Sequence, residues 1–88
     1  MGAMSPLQLR LARTALRLGV RELAQIAGVS PTTVTRFEAG RGGVHSGTLT
    51  SLEAAPEKRG IVFVPADESG EATVRVRRDS SGSEPKNV

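Results

Sequence analysis

The chain has 88 residues, no cysteine and one histidine, and its 12 basic and 9 acidic residues give a net charge of +3 at pH 7. This composition excludes disulfides, thiolate chemistry and a zinc site of cysteine and histidine, and the length suits one small domain with a marginal core. No apolar stretch approaches the ~18 residues of a membrane span and no signal peptide is recognisable, so we expect a cytoplasmic location without membrane contact.

The first part of the chain carries the positive charge. Up to Gly60 there are eight basic and four acidic residues, whereas four basic and five acidic residues follow. The first part is therefore the better candidate for binding a polyanion.

A first helix is predicted after residues 1–4, which have the character of a cloning scar and are set apart from the fold. Ser5 is a favoured N-cap, Pro6 suits the first helical position, and Gly19 is expected to end the helix. Its apolar residues at helical spacing are Leu7, Leu9, Leu11, Ala12, Ala15, Leu16 and Leu18. Arg10, Arg13 and Arg17 form the opposite stripe.

Two short helices with a tight turn follow. The segment VRELAQIAG predicts a second helix that buries Leu23, Ile26 and Ala27 and ends at Gly28. Ser30 and Pro31 begin a third helix over residues 31–39, in which Val34 and Phe37 form the buried side. Two short helices separated by so few residues indicate a helix-turn-helix.

The remaining elements are less regular. A glycine-rich loop leads to a fourth helix over residues 48–55, which Pro56 is expected to interrupt. The segments IVFV and ATVRVRR predict two strands, so residues 61–78 are expected to form a β-hairpin. Residues 79–88 have almost no apolar content and are predicted to be a disordered tail.

The segment VRELAQIAGVSPTTVTRFEAG resembles the lambda-repressor-like helix-turn-helix of bacterial regulators, also called the xenobiotic-response-element type. The matching positions are Leu23, Ala24, Gly28, Val29, Ser30, Val34, Arg36, Glu38 and Gly40. Two positions depart from the family pattern: Val20 stands where glutamine is frequent, and Pro56 lies within the usual fourth helix. The resemblance implies a mainly α fold of four to five helices over residues 5–60, followed here by the hairpin.

The resemblance also implies site residues for DNA. Those expected to face the bases in the major groove are Ser30, Pro31, Thr32, Thr33 and Arg36. Independently of the resemblance, we expect a second set near phosphate, as for the arginine in the loop after the third helix: Arg21, Thr35, Arg41, Gly43 and His45. Arg13 and Glu38 are expected to form a structural pair between the first and third helices.

The outer side of the third helix has side chains suited to base edges. Arginine can donate two hydrogen bonds to guanine, and threonine offers a hydroxyl and a methyl group. We therefore expect a sequence-specific regulator of transcription that binds double-stranded DNA, represses, and needs no cofactor, metal or small-molecule ligand. We expect it to act as a bacterial homodimer on a palindromic operator. The hairpin residues expected to dimerise are Ile61, Phe63, Val74 and Val76, with packing of the hairpin on its own helices as the alternative.

Three other functions are alternatives to sequence-specific DNA binding. An enzyme is disfavoured because His45 is isolated and the glycines complete no phosphate-binding loop. Single-strand binding is disfavoured because the only aromatic residues are Phe37 and Phe63. An antitoxin-like or anti-activator module that binds a regulatory protein stays open, since an exposed strand can pair with another chain.

Overall fold

The computed structural model describes residues 4–78, and the predicted tail at residues 79–88 lies outside them. Four helices are followed by an antiparallel hairpin, which confirms the mainly α fold with a C-terminal hairpin. The helices are α1 Pro6–Ala15, α2 Val20–Ala27, α3 Pro31–Glu38 and α4 Ser46–Lys58, and the strands are β1 Ile61–Val64 and β2 Thr73–Val76. No helix within residues 4–78 is long and apolar enough to cross a membrane.

Helix α1 begins as predicted but ends early. The Ser5 hydroxyl accepts the Gln8 N–H at 3.1 Å, and the Gln8 side chain accepts the Ser5 N–H at 2.9 Å, which completes a capping box. The predicted end at Gly19 is wrong, because α1 ends at Ala15 and Arg17 adopts φ +59°. A positive φ is uncommon for a residue with a β-carbon, so a helix end is normally predicted at a glycine. Gly19 is the first glycine after Arg17.

The turn between α2 and α3 follows the local signals in the sequence. Gly28 has φ +74°, and the Val29 N–H donates to the Ala24 carbonyl at 2.9 Å, as in a Schellman ending. The Ser30 hydroxyl then accepts the Thr33 N–H at 3.1 Å and caps α3. These two caps fix the orientation of α2 relative to α3.

Helix α4 is longer than predicted at both ends and continues through Pro56. The proline ring is fully buried, so its packing offsets the hydrogen bond lost at the Leu52 carbonyl. Only Glu57 and Lys58 follow within the helix, which confines the disturbance to the last turn. The expected interruption at Pro56 is therefore wrong.

The core lies between the four helices and includes Leu9, Leu23, Val34 and Leu52, all fully buried. Three details differ from the sequence-based expectation. Met4 is buried in this core although residues 1–4 were set apart from the fold, whereas Leu7 and Ile26 are exposed. The helices are short, and each buries a narrower stripe of residues than its apolar sequence positions predict.

The hairpin packs on the helices of its own chain, which was the alternative to a dimer contact. Strand β1 contacts α4 and β2 contacts α1, and the Gln8 amide donates to the Val64 and Thr73 carbonyls at 2.9 and 3.0 Å. Ile61 is only 2% exposed, and Phe63 packs against the core. The expectation that these two side chains face a second copy is corrected by this packing.

Val74 and Val76, the other two residues expected to form the dimer contact, lie opposite these two side chains in the hairpin. Ile61 lies opposite Val76 and Phe63 opposite Val74 in the register of the hairpin. Val74 is half-buried and Val76 is 57% exposed, so the accessible part of this face is on β2.

Candidate nucleic-acid interface

The outer side of α3 is exposed over three neighbouring residues. Val34 and Phe37 pack inward, whereas Thr32, Thr35 and Arg36 are exposed. Together with Ala39 and Arg41 these three line a shallow depression of about 190 Å³. Residues predicted to contact bases and residues predicted to contact phosphate therefore share one surface.

The start of α3 is partly engaged in its own structure. The Ser30 hydroxyl caps the helix and lies 2.8 Å from the Thr33 hydroxyl, and Thr33 is half-buried. Pro31 is exposed at the first helical position. Among the residues predicted to face bases, Thr32 and Arg36 consequently have the freest polar groups.

A second depression of about 260 Å³ lies beside α3. It is lined by Arg10, Arg13, Val20, Thr35, Glu38 and Ala39. Thr35 thus lies close to the beginning of α2, where exposed Arg21 occupies the first turn. Val20 is half-buried against the core, so this position packs rather than offering the amide of the frequent glutamine.

Arg10 is a member of this surface that the sequence analysis left unassigned. It is exposed and precedes Arg13 by three residues on α1, so both lie on the side of α1 that borders α3. The arginine stripe was visible in the sequence, but its position relative to α3 depends on how the helices pack.

The loop after α3 brings the remaining predicted residues to the beginning of α4. The Arg41 N–H donates to the Arg36 carbonyl at 3.1 Å, Gly43 has φ +89°, and half-buried Val44 packs against the core. His45 occupies the N-cap of α4, and no side chain within residues 4–78 caps this helix end. The first amide groups of α4 are therefore suited to an anion such as phosphate.

The Arg13–Glu38 pair that the resemblance implied is present. Arg13 donates from Nε to Oε2 at 2.8 Å and from Nη2 to Oε1 at 2.9 Å. Its Nη1 also donates to the Leu18 carbonyl at 3.1 Å. The hydrogen bond to Glu38 raises the pKa of the Arg13 guanidinium above its usual value. The pair ties α1 and the following turn to the end of α3.

The carboxylates near this surface already have partners. Glu22 accepts the Gly19 N–H at 2.7 Å, and Glu38 is paired with Arg13. The nearby exposed arginines have no such partner, since Arg13–Glu38 is the one ion pair within residues 4–78. The surface is thus positively charged and suited to a phosphate backbone.

Two comparisons with known proteins bear on this arrangement. The family model described as helix-turn-helix domain matches residues 7–54, which include α1 except its first residue, all of α2 and α3, and most of α4. No curated protein matches the chain. The match covers more than half of the 88 residues, and families of this kind bind DNA and are generally not enzymes. The chain therefore belongs to the helix-turn-helix domain family of DNA-binding proteins.

Proposed function

We propose that this protein is a sequence-specific transcriptional regulator of the lambda-repressor-like type that inserts α3 into the major groove of double-stranded DNA. The observation that supports this most is the exposed row of Thr32, Thr35 and Arg36 on a helix whose opposite side is locked into the core. A helix so fixed presents its polar side chains in one orientation. Recognition of base edges requires such a fixed orientation.

The surface divides into two roles. Arg36 is exposed in the last turn of α3, and we assign it a bidentate contact with guanine, while Thr32 contacts a neighbouring base. We assign the phosphates to residues at helix ends, on the side of α3 and in the following loop, with Arg10 added to the set: Arg21, Thr35, Arg41, Gly43 and His45. Phosphate contacts fix the position of the protein, and base contacts select the sequence.

Repression is the simplest regulatory outcome of such binding in a bacterial cytoplasm. A protein bound at an operator blocks access to the DNA without any further contact. A single helix-turn-helix covers little DNA, so we propose that two copies occupy half-sites about 34–36 Å apart in a palindromic operator.

The contact between the two copies is proposed to be weak in the absence of DNA. Of the predicted contact residues, Ile61 and Phe63 pack within the chain, and Val74 and Val76 remain on the more accessible strand. The same strand and its end carry Arg75, Arg77 and Arg78. Side-by-side copies would bring these positive charges together, so we expect a free monomer and a pair assembled on DNA.

Selection of bound duplexes from a random pool, followed by sequencing, tests this function. The parent should enrich a sequence with two symmetric half-sites. Arg36→Ala should lose preference at one base pair in each half-site, with a cost of about 1–3 kcal/mol for each half-site of the best duplex.

Arg41→Ala is the matched control on the same surface. It should weaken binding to all duplexes alike and lower the slope of log K against log salt by about 1. An Arg36→Ala profile that equals the parent profile would show that α3 is not docked as proposed.

A further inference from the structure

The outer edge of β2 is a row of backbone groups that pair with no other strand within residues 4–78. The Arg77 N–H donates to the Gly60 carbonyl at 2.7 Å, which fixes the phase of the hairpin ladder. Because inward and outward groups alternate in an antiparallel ladder, the N–H and C=O groups of Val74 and Val76 point away from β1. The sheet has only two strands within residues 4–78, so no strand pairs with this edge there.

This edge is also the more accessible one. Thr73, Arg75 and Val76 are exposed on β2, whereas Val62 is the exposed residue of β1. The hairpin rests on α1 and α4, and α3 lies elsewhere in the molecule. DNA contacted by α3 of a single copy would therefore leave this edge open.

The charges along the edge select the kind of strand that can pair with it. Arg75 and Arg77 are two residues apart, so they project on the same side of the sheet about 6.6–6.8 Å from each other. Neither forms an ion pair within residues 4–78, and Val62, directly opposite Arg75, adds an exposed apolar contact on that side. Natural proteins use such charges to prevent a strand edge from pairing with identical copies.

We propose that the β2 edge binds an extended, acidic segment of a partner protein as a third strand. The segment would exchange backbone hydrogen bonds with Val74 and Val76. Carboxylates at alternate positions would lie opposite Arg75 and Arg77, where they form charge-assisted hydrogen bonds. Because one edge cannot serve two strands, the bound segment would exclude pairing of this edge with a second copy. The inference rests on the hairpin alone and holds whether or not α3 recognises DNA.

The test is a titration of the ¹⁵N-labelled full chain with a blocked eight-residue peptide of alternating valine and glutamate. We expect the amide signals of Val74 and Val76 to shift and their hydrogen exchange to slow. Two control peptides define the chemistry: one replaces glutamate by lysine, and one keeps the charge but has proline at the central valines. Both should bind at least tenfold more weakly, since the first repels the arginines and the second cannot donate along the ladder.

Two variants test the edge from the side of the protein. Among the backbone hydrogen-bonding groups, Val76→Pro removes an outward N–H and none of those that join β1 and β2, so it should reduce peptide binding at least tenfold. The double variant Arg75→Glu with Arg77→Glu should bind the lysine peptide in preference to the glutamate peptide. This reversal decides the question by itself if Val76→Pro does not fold.

Several outcomes would overturn the proposal. They are unchanged Val74 and Val76 signals at millimolar peptide, equal binding of the proline-containing acidic peptide, and unaltered peptide preference in the double arginine variant. Shifts of the same two amides on addition of a duplex with a single half-site, without peptide, would assign the arginines to DNA instead. Loss of DNA recognition in Arg36→Ala would leave the peptide result unaffected, so the two proposals fail separately.

Discussion

Removal of either partner of the Arg13–Glu38 pair should destabilise the fold strongly. The side chains are 18% and 7% exposed, and two of the three hydrogen bonds of Arg13 go to Glu38. Loss of one partner from a fully buried pair costs about 3–5 kcal/mol. Arg13 keeps some contact with water and with the Leu18 carbonyl. We therefore expect Glu38→Ala to lower the free energy of unfolding by about 2–3 kcal/mol, which is at or below the lower end of that range.

This cost is large for so small a domain. Total stabilities are roughly 0.05–0.15 kcal/mol per residue, so the loss would be a sizeable fraction of the whole. We expect the Tm of Glu38→Ala and of Arg13→Ala to fall by roughly 10–20 °C. Urea unfolding followed by circular dichroism measures the free energy, and Arg10→Ala, an exposed arginine one turn earlier on α1, is the matched control.

The double variant completes the test. If the two side chains stabilise each other, the combined loss should be smaller than the sum of the single losses by about 1 kcal/mol or more. Single variants within about 0.5 kcal/mol of the parent, or losses that simply add, would refute a structural role for the pair.

Two further predictions concern the hairpin. Gln8→Leu removes the donors to the Val64 and Thr73 carbonyls, and also the acceptor of the Ser5 N–H in the cap of α1, and the two losses together should cost about 1–3 kcal/mol. Hydrogen exchange in β1 and β2 should become faster in Gln8→Leu and not in exposed Gln25→Leu, and unaltered exchange in Gln8→Leu would contradict a role of its amide in the hairpin. The hydrogen bonds from Ser69 lower the pKa of Asp67 below its usual 3.8. The stabilisation that these bonds give the turn is therefore present above pH 3.8, and it is lost as the pH falls through the lowered pKa. An NMR titration of the Asp67 carboxyl should show this pKa return toward 3.8 in Ser69→Ala, and an identical midpoint in both proteins would rule out that cause.

The central part of the fold was predictable because its signals are local. Gly28 ends α2 in a left-handed conformation, and Ser30 with Pro31 starts α3, so the helix-turn-helix follows from a few adjacent residues. The outer side of α3 was predictable for the same reason, since helical spacing alone separates Val34 and Phe37 from Thr32 and Arg36.

The errors occurred where distant contacts decide the structure. Pro56 stays inside α4 with its ring fully buried, and that burial depends on the tertiary packing. Gln8 is a buried polar residue whose partners lie 56 and 65 residues away, which no local pattern reveals. The same limit applies to Arg10, whose place beside α3 depends on the packing of α1.

The inward packing of the hairpin also had no local signal. Alternating apolar residues predict a strand with one buried side, but they do not tell whether that side meets its own chain or another. Burial of Ile61 by α4 and the bonds from Gln8 decide this in favour of the same chain.

The proposal that α3 reads DNA is tested most directly by mapping the amide signals of the ¹⁵N-labelled chain on addition of a duplex that carries one selected half-site and therefore binds one copy. Shifts should be concentrated in residues 30–39, in the loop and helix start at residues 41–48, and at the beginning of α2. Signals of β1 and β2 should remain at their free positions. Shifts confined to the hairpin, with residues 30–39 unchanged, would contradict the proposed docking of α3 in the major groove.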